Sequence, residues 1–183
     1  MHTRRSGAMT YDDLHQRGER NRFEELIDGH LLVADSPTAD HQRTVKRLLL
    51  ALERSLEGSG REVVVGPMDV LVDDTNVLQP DLLVIPADRA GRWQRPVDFP
   101  PDLVVEVLSP SNRAHDLVRK RAIYERFGAP ELWFVDLEAG RVEQVVMGAN
   151  GAYGASRMHA PGQPLVSDQL DGATVQVLDI LGY

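Results

Sequence analysis

The chain has 183 residues, a length typical of a single domain, and 42% of them are hydrophobic, which is enough for a buried core. It contains no cysteine, which excludes a disulfide framework, a thiolate nucleophile and a zinc site built on cysteine. The 28 acidic residues outnumber the 20 basic ones, and the formal net charge of −8 argues at first sight against a nucleic-acid partner.

The N-terminal part predicts a flexible leader at 1–9, followed by a single domain that spans 10–183. The arginines near the N-terminus precede no apolar segment of a secretory signal, and no apolar run approaches the roughly 20 residues that span a bilayer. We therefore expect a soluble, cytoplasmic protein with no membrane partner. The charged segment 10–22 predicts a short helix. After it, Asp28-Gly29 lies between two apolar segments, which is the pattern of a β-hairpin.

The rest of the chain alternates helical and strand patterns. Apolar residues at helical spacing predict a helix over 41–57. Runs rich in β-branched residues predict strands over 63–65, 70–72, 82–85, 103–108, 132–135 and 142–146. A polar loop is expected over 86–101, and 109–112 should cap a second helix that ends near 127. The predicted fold class is α/β (α+β), a mixed β-sheet core flanked by helices, with an N-terminal β-hairpin.

One charged residue interrupts an apolar strand. Glu106 lies in the run Leu-Val-Val-Glu-Val-Leu, whose neighbours on both faces are apolar, so this strand is expected to be central. Burial of a lone charge is prohibitively costly, and the carboxylate must be neutral, paired or bound to a cation. A salt bridge to an arginine and a cation site explain Glu106 about equally well.

A second carboxylate opens the neighbouring strand. Asp81 follows Pro80, and proline at the first position of a strand loses no hydrogen bond of the ladder. An aspartate there can project toward a cleft and share an ion with Glu106. A role in a turn or at the entry to a strand is nevertheless the more common explanation of a Pro-Asp pair.

Lysine is rare in this chain, where only Lys46 and Lys120 occur among 20 basic residues. On a helical wheel, Lys120 and Asp116 fall inside the apolar arc of the second helix, whereas the neighbouring arginines fall outside it. Lys120 either forms a pair with Asp116 four residues away and extends to water, or directs its ammonium at the carboxylates of the sheet.

Glu25 and His41 are further candidates. Glu25 alternates with core-facing residues just before the hairpin turn, although a solvated glutamate is at least as common at such a position. His41 begins the helix 41–57 and could cap it or approach the same cleft, but a surface position is the more common one for a single histidine. The six histidines show no paired metal spacing, and the sequence lacks the phosphate-binding glycine loops and the serine-hydrolase motif.

Five segments together carry a family pattern: Glu25-Leu-Ile-Asp-Gly, Pro80-Asp81, Glu106-Val-Leu-Ser-Pro-Ser, Asp116…Lys120…Tyr124 and Pro130-Glu-Leu-Trp-Phe-Val-Asp136. Over 10–182 the chain resembles the Uma2 family, formerly DUF820, of restriction-endonuclease-like proteins in the PD-(D/E)xK nuclease superfamily. The resemblance implies a restriction-endonuclease-like mixed sheet. It also implies a metal site formed by Asp81, Glu106 and the backbone carbonyl of Val107, with Glu25 as a further carboxylate.

The pattern departs from the superfamily at one position, where Leu108 stands in place of the motif's lysine. Lys120 on the following helix fits that role. The resemblance thus implies a metal-dependent DNA endonuclease that uses Mg²⁺ or Mn²⁺, with Asp81, Glu106, Lys120 and Glu25 as catalytic residues. A catalytically inactive nuclease-fold module that binds nucleic acid or protein is the alternative, and a small-molecule metal hydrolase is a third, less favoured hypothesis.

The acidic charge is unevenly distributed along the chain. The segment 113–126 holds five bases and two acids, so Arg113, Arg119, Arg121 and Arg126 could contact phosphates beside the site, although a solvated helix face explains them too. We expect DNA binding to be weak and strongly salt-dependent without metal. A homodimer would supply the two sites that are needed to cut both strands of a duplex.

Overall fold

The computed structural model describes residues 7–17, 23–108 and 116–182. The strands in these ranges are β1 (Glu24–Ile27), β2 (His30–Val33), β3 (Glu62–Val65), β4 (Val70–Asp73), β5 (Asn76–Leu78), β6 (Leu82–Ile85), β7 (Leu103–Leu108), β8 (Glu131–Asp136), β9 (Arg141–Val146), β10 (Arg157–His159), β11 (Pro164–Ser167) and β12 (Ala173–Gln176). The helices are α1 (Tyr11–His15), α2 (Ala39–Ser55), α3 (Arg121–Phe127) and α4 (Val177–Leu181). A π-helical turn, Asp116–Lys120, leads directly into α3.

A six-stranded mixed sheet forms the centre, in the order β10-β9-β8-β7-β6-β3. Strands β7 and β8 run parallel, and the other neighbours run antiparallel. Every residue of β7 and of β8 is buried, as is typical of central strands that are covered on both faces. This explains why the sequence of β7 is an almost unbroken apolar run, and it makes the charge at Glu106 exceptional.

Each face of this sheet is covered by a separate layer. On one face, Leu82 and Val105 pack with α2, α4 and the hairpin β11–β12. On the other face, Leu83 and Val104 pack with α3 and with a small sheet of order β2-β1-β5-β4. Glu106 is two residues from Val104 on the same strand, so its side chain also lies on the α3 face. The predicted mixed sheet flanked by helices is confirmed.

The N-terminal hairpin is also confirmed. β1 and β2 pair antiparallel around Asp28 and Gly29, whose φ angles of 51° and 76° are both positive, as a two-residue type I′ turn requires. Met9, expected in the leader, donates its backbone N–H to the carbonyl of Gly29 over 2.9 Å and packs beside Leu14.

Several predicted elements differ in extent from the structure. The first helix ends at His15, and Leu14 is the residue that it buries, so little apolar contact supports a longer helix here. Residues 18–22, and the cap predicted at 109–112, lie outside the described ranges. α2 begins at Ala39 because Thr38 caps it. Four short strands, β5, β10, β11 and β12, were not predicted. In the described part of the chain, no helix has the length and apolarity that a membrane crossing needs.

Candidate active site

Two carboxylates from neighbouring strands meet at one end of the central sheet. Leu82 of β6 pairs with Val105 of β7, so the next position along this antiparallel ladder brings Asp81 opposite Glu106. The Oδ2 atom of Asp81 accepts the backbone N–H of Val107 at 2.7 Å, which fixes this approach. The two acids that the sequence analysis singled out are therefore neighbours in space.

Gly66 lets the backbone after β3 approach the backbone of Asp81 closely. The N–H of Gly66, directly after β3, donates to the carbonyl of Asp81 over 2.9 Å. A Cβ atom built on Gly66 would lie 2.3 Å from the carbonyl oxygen of Pro80, closer than any non-bonded contact allows. Only glycine fits between these backbones without displacing Pro80-Asp81. The sequence analysis did not identify Gly66, because the close approach joins two distant segments.

The carboxylate of Glu106 is buried and accepts hydrogen bonds from two side chains, one on the π-helical turn and one on α3. Lys120 Nζ lies 3.0 Å from Oε2, and the hydroxyl of Tyr124 donates to Oε1 over 2.8 Å. The side chain of Glu106 is only 5% exposed, so these partners replace the water that the charge has lost. Glu106 is a paired buried charge, and the cation beside it is Lys120.

Lys120 joins two carboxylates rather than one. Its ammonium also lies 2.9 Å from Oε1 of Glu25, which comes from β1 of the small sheet. The same Oε1 atom accepts the backbone N–H of Gln79 at 2.7 Å. Because the Lys120 side chain is 6% exposed, the alternative in which this lysine extends to water is wrong. Glu25 is likewise not a solvated glutamate, since its side chain is 13% exposed.

His41 lies in the first turn of α2 and reaches the same group of residues. Its Nε2 atom lies 3.1 Å from Oδ1 of Asp81, and its side chain is 14% exposed, so the favoured surface position is wrong. The other ring nitrogen, Nδ1, is buried and has no hydrogen-bond partner among the described residues. His41 and Asp81 are 40 positions apart in the sequence, and no local spacing reveals their contact.

These side chains line a cleft of about 460 Å³. Its walls include the segment 34–38, the turn at 66–67 and the segment 79–81, and Glu25, His41, Glu106, Val107 and Lys120 also line it. Four acidic residues line this space, Glu25, Asp35, Asp81 and Glu106, against one lysine. The cleft is therefore strongly acidic.

Gln79 is a cleft residue that the sequence analysis missed. Its Nε2 atom donates to Asp69 Oδ1 over 2.7 Å, which leaves Oε1 buried with no hydrogen-bond partner in the described part of the chain. A buried, unsatisfied oxygen costs free energy, and such atoms often mark a position that a ligand or ion satisfies. The sequence feature that could have identified Gln79 is its position directly before Pro80-Asp81.

The cleft offers oxygen donors of the type that a hard divalent cation takes. Within the described ranges, no group of three or more His, Cys, Asp or Glu residues is arranged to hold a metal. Mg²⁺, however, usually keeps several waters and binds through one or two carboxylates. Asp81 and Glu106 supply two carboxylates at adjacent positions, Val107 lines the same space, and Oε1 of Gln79 is a further oxygen without a partner.

Of the predicted phosphate-contacting arginines, Arg119, Arg121 and Arg126 are described, and none of them lines the cleft. Arg113 is outside the described ranges. Arg119 is exposed on the π-helical turn, and it is not among the residues that line the cleft. Arg121 donates to Glu143, Ser156 and the carbonyl of Gly154. These bonds tie Arg121 to the β9–β10 side of the fold, which argues against the predicted phosphate contact.

Comparison with known proteins assigns this architecture to a class of nuclease-like folds. The family model Uma2, described as "Putative restriction endonuclease", matches residues 9–178. The chain therefore belongs to the Uma2 family, and the predicted resemblance is confirmed. No curated protein matches the sequence significantly.

The fold is also similar to a solved structure. A crystal structure described as a putative nuclease belonging to DUF820, from Anabaena variabilis ATCC 29413, superposes with a TM-score of 0.81 and 15% sequence identity. The match covers 95% of this chain and 98% of the other one. This similarity confirms the predicted fold class.

Proposed function

We propose that this chain is a divalent-metal-dependent endonuclease that hydrolyses phosphodiester bonds of DNA in the cleft. The observation that carries the proposal is the position of Lys120, whose ammonium lies 2.9 Å from Glu25 and 3.0 Å from Glu106 in the cleft that Asp81 also lines. A buried lysine between carboxylates is costly for a fold, and such groups cluster at functional sites. Membership of the family described as "Putative restriction endonuclease" supports this reading.

The residues that would hold the metal are Asp81, Glu106 and the backbone carbonyl of Val107. A Mg²⁺ or Mn²⁺ ion bound there would supply Lewis-acid chemistry, which lowers the pKa of a water and neutralises charge on the phosphate. Oδ2 of Asp81 has a second lone pair beside the hydrogen bond that it accepts from Val107, so this contact leaves acceptor capacity for a cation.

The protein's own groups would orient the reactants and balance charge. Lys120 would donate to an oxygen of the scissile phosphate or to the attacking water and stabilise the negative charge that grows in the transition state. Glu25 would hold the ammonium in place and, through the N–H of Gln79, tie it to the segment before Asp81. Tyr124 would keep Glu106 in its orientation.

Electrostatics make substrate binding itself dependent on a cation. Four carboxylates and one lysine line the cleft, and this excess of negative charge repels a phosphate backbone. A bound divalent ion would reduce this repulsion, because its positive charge lowers the net negative charge of the cleft. DNA affinity measured by fluorescence anisotropy should therefore be weak in EDTA and increase when Mg²⁺ or Ca²⁺ is added.

The direct test is nicking of supercoiled plasmid. Purified protein with Mg²⁺ or Mn²⁺ should convert supercoiled DNA to the open-circular form, and EDTA should abolish the conversion. The absence of nicking with either ion would contradict the proposal, and so would cleavage that persists in EDTA.

A non-catalytic nuclease-fold module is the second candidate, and one observation favours it. The charge of Lys120 is already compensated by two glutamates in a cleft that is acidic overall. Such a module would bind a nucleic acid or a protein without cutting it. Metal-dependent DNA binding with no nicking in Mn²⁺ would favour this candidate. A homodimer remains a prediction for the enzyme, and sedimentation velocity would test it.

A further inference from the structure

Both oxygens of Asp81 contact groups from different parts of the fold. Oδ2 accepts the backbone N–H of Val107 from β7, and Oδ1 lies 3.1 Å from Nε2 of His41 on α2. Asp81 directly precedes β6, and the bond from Val107 fixes one of its two oxygens. The side chain of His41 therefore provides the second point that determines where the carboxylate of Asp81 is directed.

The backbone of His41 is itself anchored. Its N–H donates to the hydroxyl of Thr38, the N-cap of α2, over 3.2 Å. The capped turn sets the position from which the imidazole extends into the cleft. A rigid helix start, rather than a loop, thus carries the donor that contacts Asp81.

The surroundings of Nδ1 separate two roles that His41 could have. A histidine that ligates a metal almost always donates its other ring N–H to a carboxylate, a carbonyl or a water. Nδ1 of His41 is buried and has no carboxylate or carbonyl partner among the described residues. If Nε2 ligated a metal, Nδ1 would carry the proton and would be a buried donor without an acceptor, which is costly. An Nε2–H that donates to Asp81 leaves only a lone pair on Nδ1.

We propose that His41 is a positioning residue, which orients Asp81 for cation binding through the contact of Nε2 with Oδ1, and that it is not itself a metal ligand. The inference rests on the proposed function, because it concerns the cation site of that cleft. Loss of a partner that orients a metal ligand typically reduces metal affinity by about 10- to 100-fold.

The test is isothermal titration of Mn²⁺ and Zn²⁺ into wild type, His41→Ala, His41→Gln and His30→Ala. Glutamine places an N–H donor the same number of bonds from Cβ as Nε2 of histidine, and His30 is an exposed histidine that serves as the matched control. His41→Ala should weaken Mn²⁺ binding by about 10-fold or more. His41→Gln should bind nearly as the wild type does, and His30→Ala should be unchanged.

The outcomes separate this inference from the proposed function. If the wild type binds Mn²⁺ and His41→Ala binds it equally well, the positioning role is wrong while the metal site stands. If His41→Gln loses affinity as His41→Ala does, and loses more for Zn²⁺ than for Mn²⁺, His41 is a ligand and the inference is also wrong. If the wild type binds neither ion, the proposed metal site fails and the inference fails with it. Circular dichroism verifies folding, and His41→Gln keeps the test valid if His41→Ala is unfolded.

Discussion

The ammonium of Lys120 lies 3.0 Å from the buried carboxylate of Glu106, across the boundary between the helical layer and the central strand of the sheet. The nuclease motif that the sequence resembles has a lysine two residues after the glutamate, where this chain has Leu108. Here the lysine lies at the end of the π-helical turn before α3 and contacts the carboxylate from the helical layer. The lysine beside Glu106 therefore comes from a separate element and not from the strand itself.

Tyr124 should matter for both stability and metal binding. Tyr124→Phe removes the donor to Oε1 of the buried Glu106, which should lower the free energy of unfolding by about 1–3 kcal/mol. It should also weaken Mn²⁺ binding, because the carboxylate is less firmly oriented. Tyr153→Phe is the matched control, since that hydroxyl donates to the carbonyl of Ala129 at 2.9 Å. Urea unfolding and titration calorimetry measure the two effects, and equal Mn²⁺ affinities in both variants would refute the prediction.

Gly66 should tolerate no side chain. Gly66→Ala places a Cβ 2.3 Å from the carbonyl oxygen of Pro80, and relief of that clash must move Pro80-Asp81 or the end of β3. We expect a stability loss of about 1–3 kcal/mol, as in overpacked cores, together with weaker metal binding. Gly154→Ala is the control, because its nearest contact is 3.7 Å away. Thermal melting that is unchanged in Gly66→Ala would show that the close approach is not needed.

The two described arginines around Lys120 should behave differently. Arg119 is exposed, so Arg119→Ala should weaken DNA binding in the presence of metal and reduce the slope of log affinity against log salt by about 1. Arg121→Ala should reduce stability instead, because it breaks the bonds to Glu143 and Ser156. Fluorescence anisotropy at several salt concentrations separates the two effects. If the slope of log affinity against log salt falls in Arg121→Ala and not in Arg119→Ala, Arg121 is the residue that contacts phosphate and the prediction is wrong.

Much of this site could be predicted because its signals are local. Glu106 is a charge within an apolar run, Asp81 follows a proline at the start of a strand, and Lys120 is a rare lysine inside an apolar helical arc. Each violates a local pattern, and violations of local patterns are frequent at functional sites. The hairpin around Asp28-Gly29 was predictable for a related reason, since both residues adopt positive φ angles readily.

The remaining features depend on tertiary contacts that no local pattern encodes. The role of His41 follows from its contact with Asp81, and that of Gly66 follows from its approach to Pro80. The three-residue strands β5 and β10 are too short to show an alternation, and β5 is formed by pairing with β1 and β4. The π-helical turn was also missed, because a wheel with α-helical spacing assumes a regular helix.

Nicking of supercoiled plasmid in Mn²⁺ by wild type, Lys120→Met and Lys46→Met tests the central claim most directly. Methionine keeps much of the volume of lysine without its charge, and Lys46 is the only other lysine of the chain and is exposed. We predict that Lys120→Met lowers the nicking rate by about 100-fold or more, as the loss of a group that stabilises transition-state charge does, whereas Lys46→Met nicks as the wild type does. Removal of the buried ammonium also costs stability, so the assay is run well below the melting temperature of each variant. A folded Lys120→Met protein that nicks DNA at the wild-type rate would contradict the account.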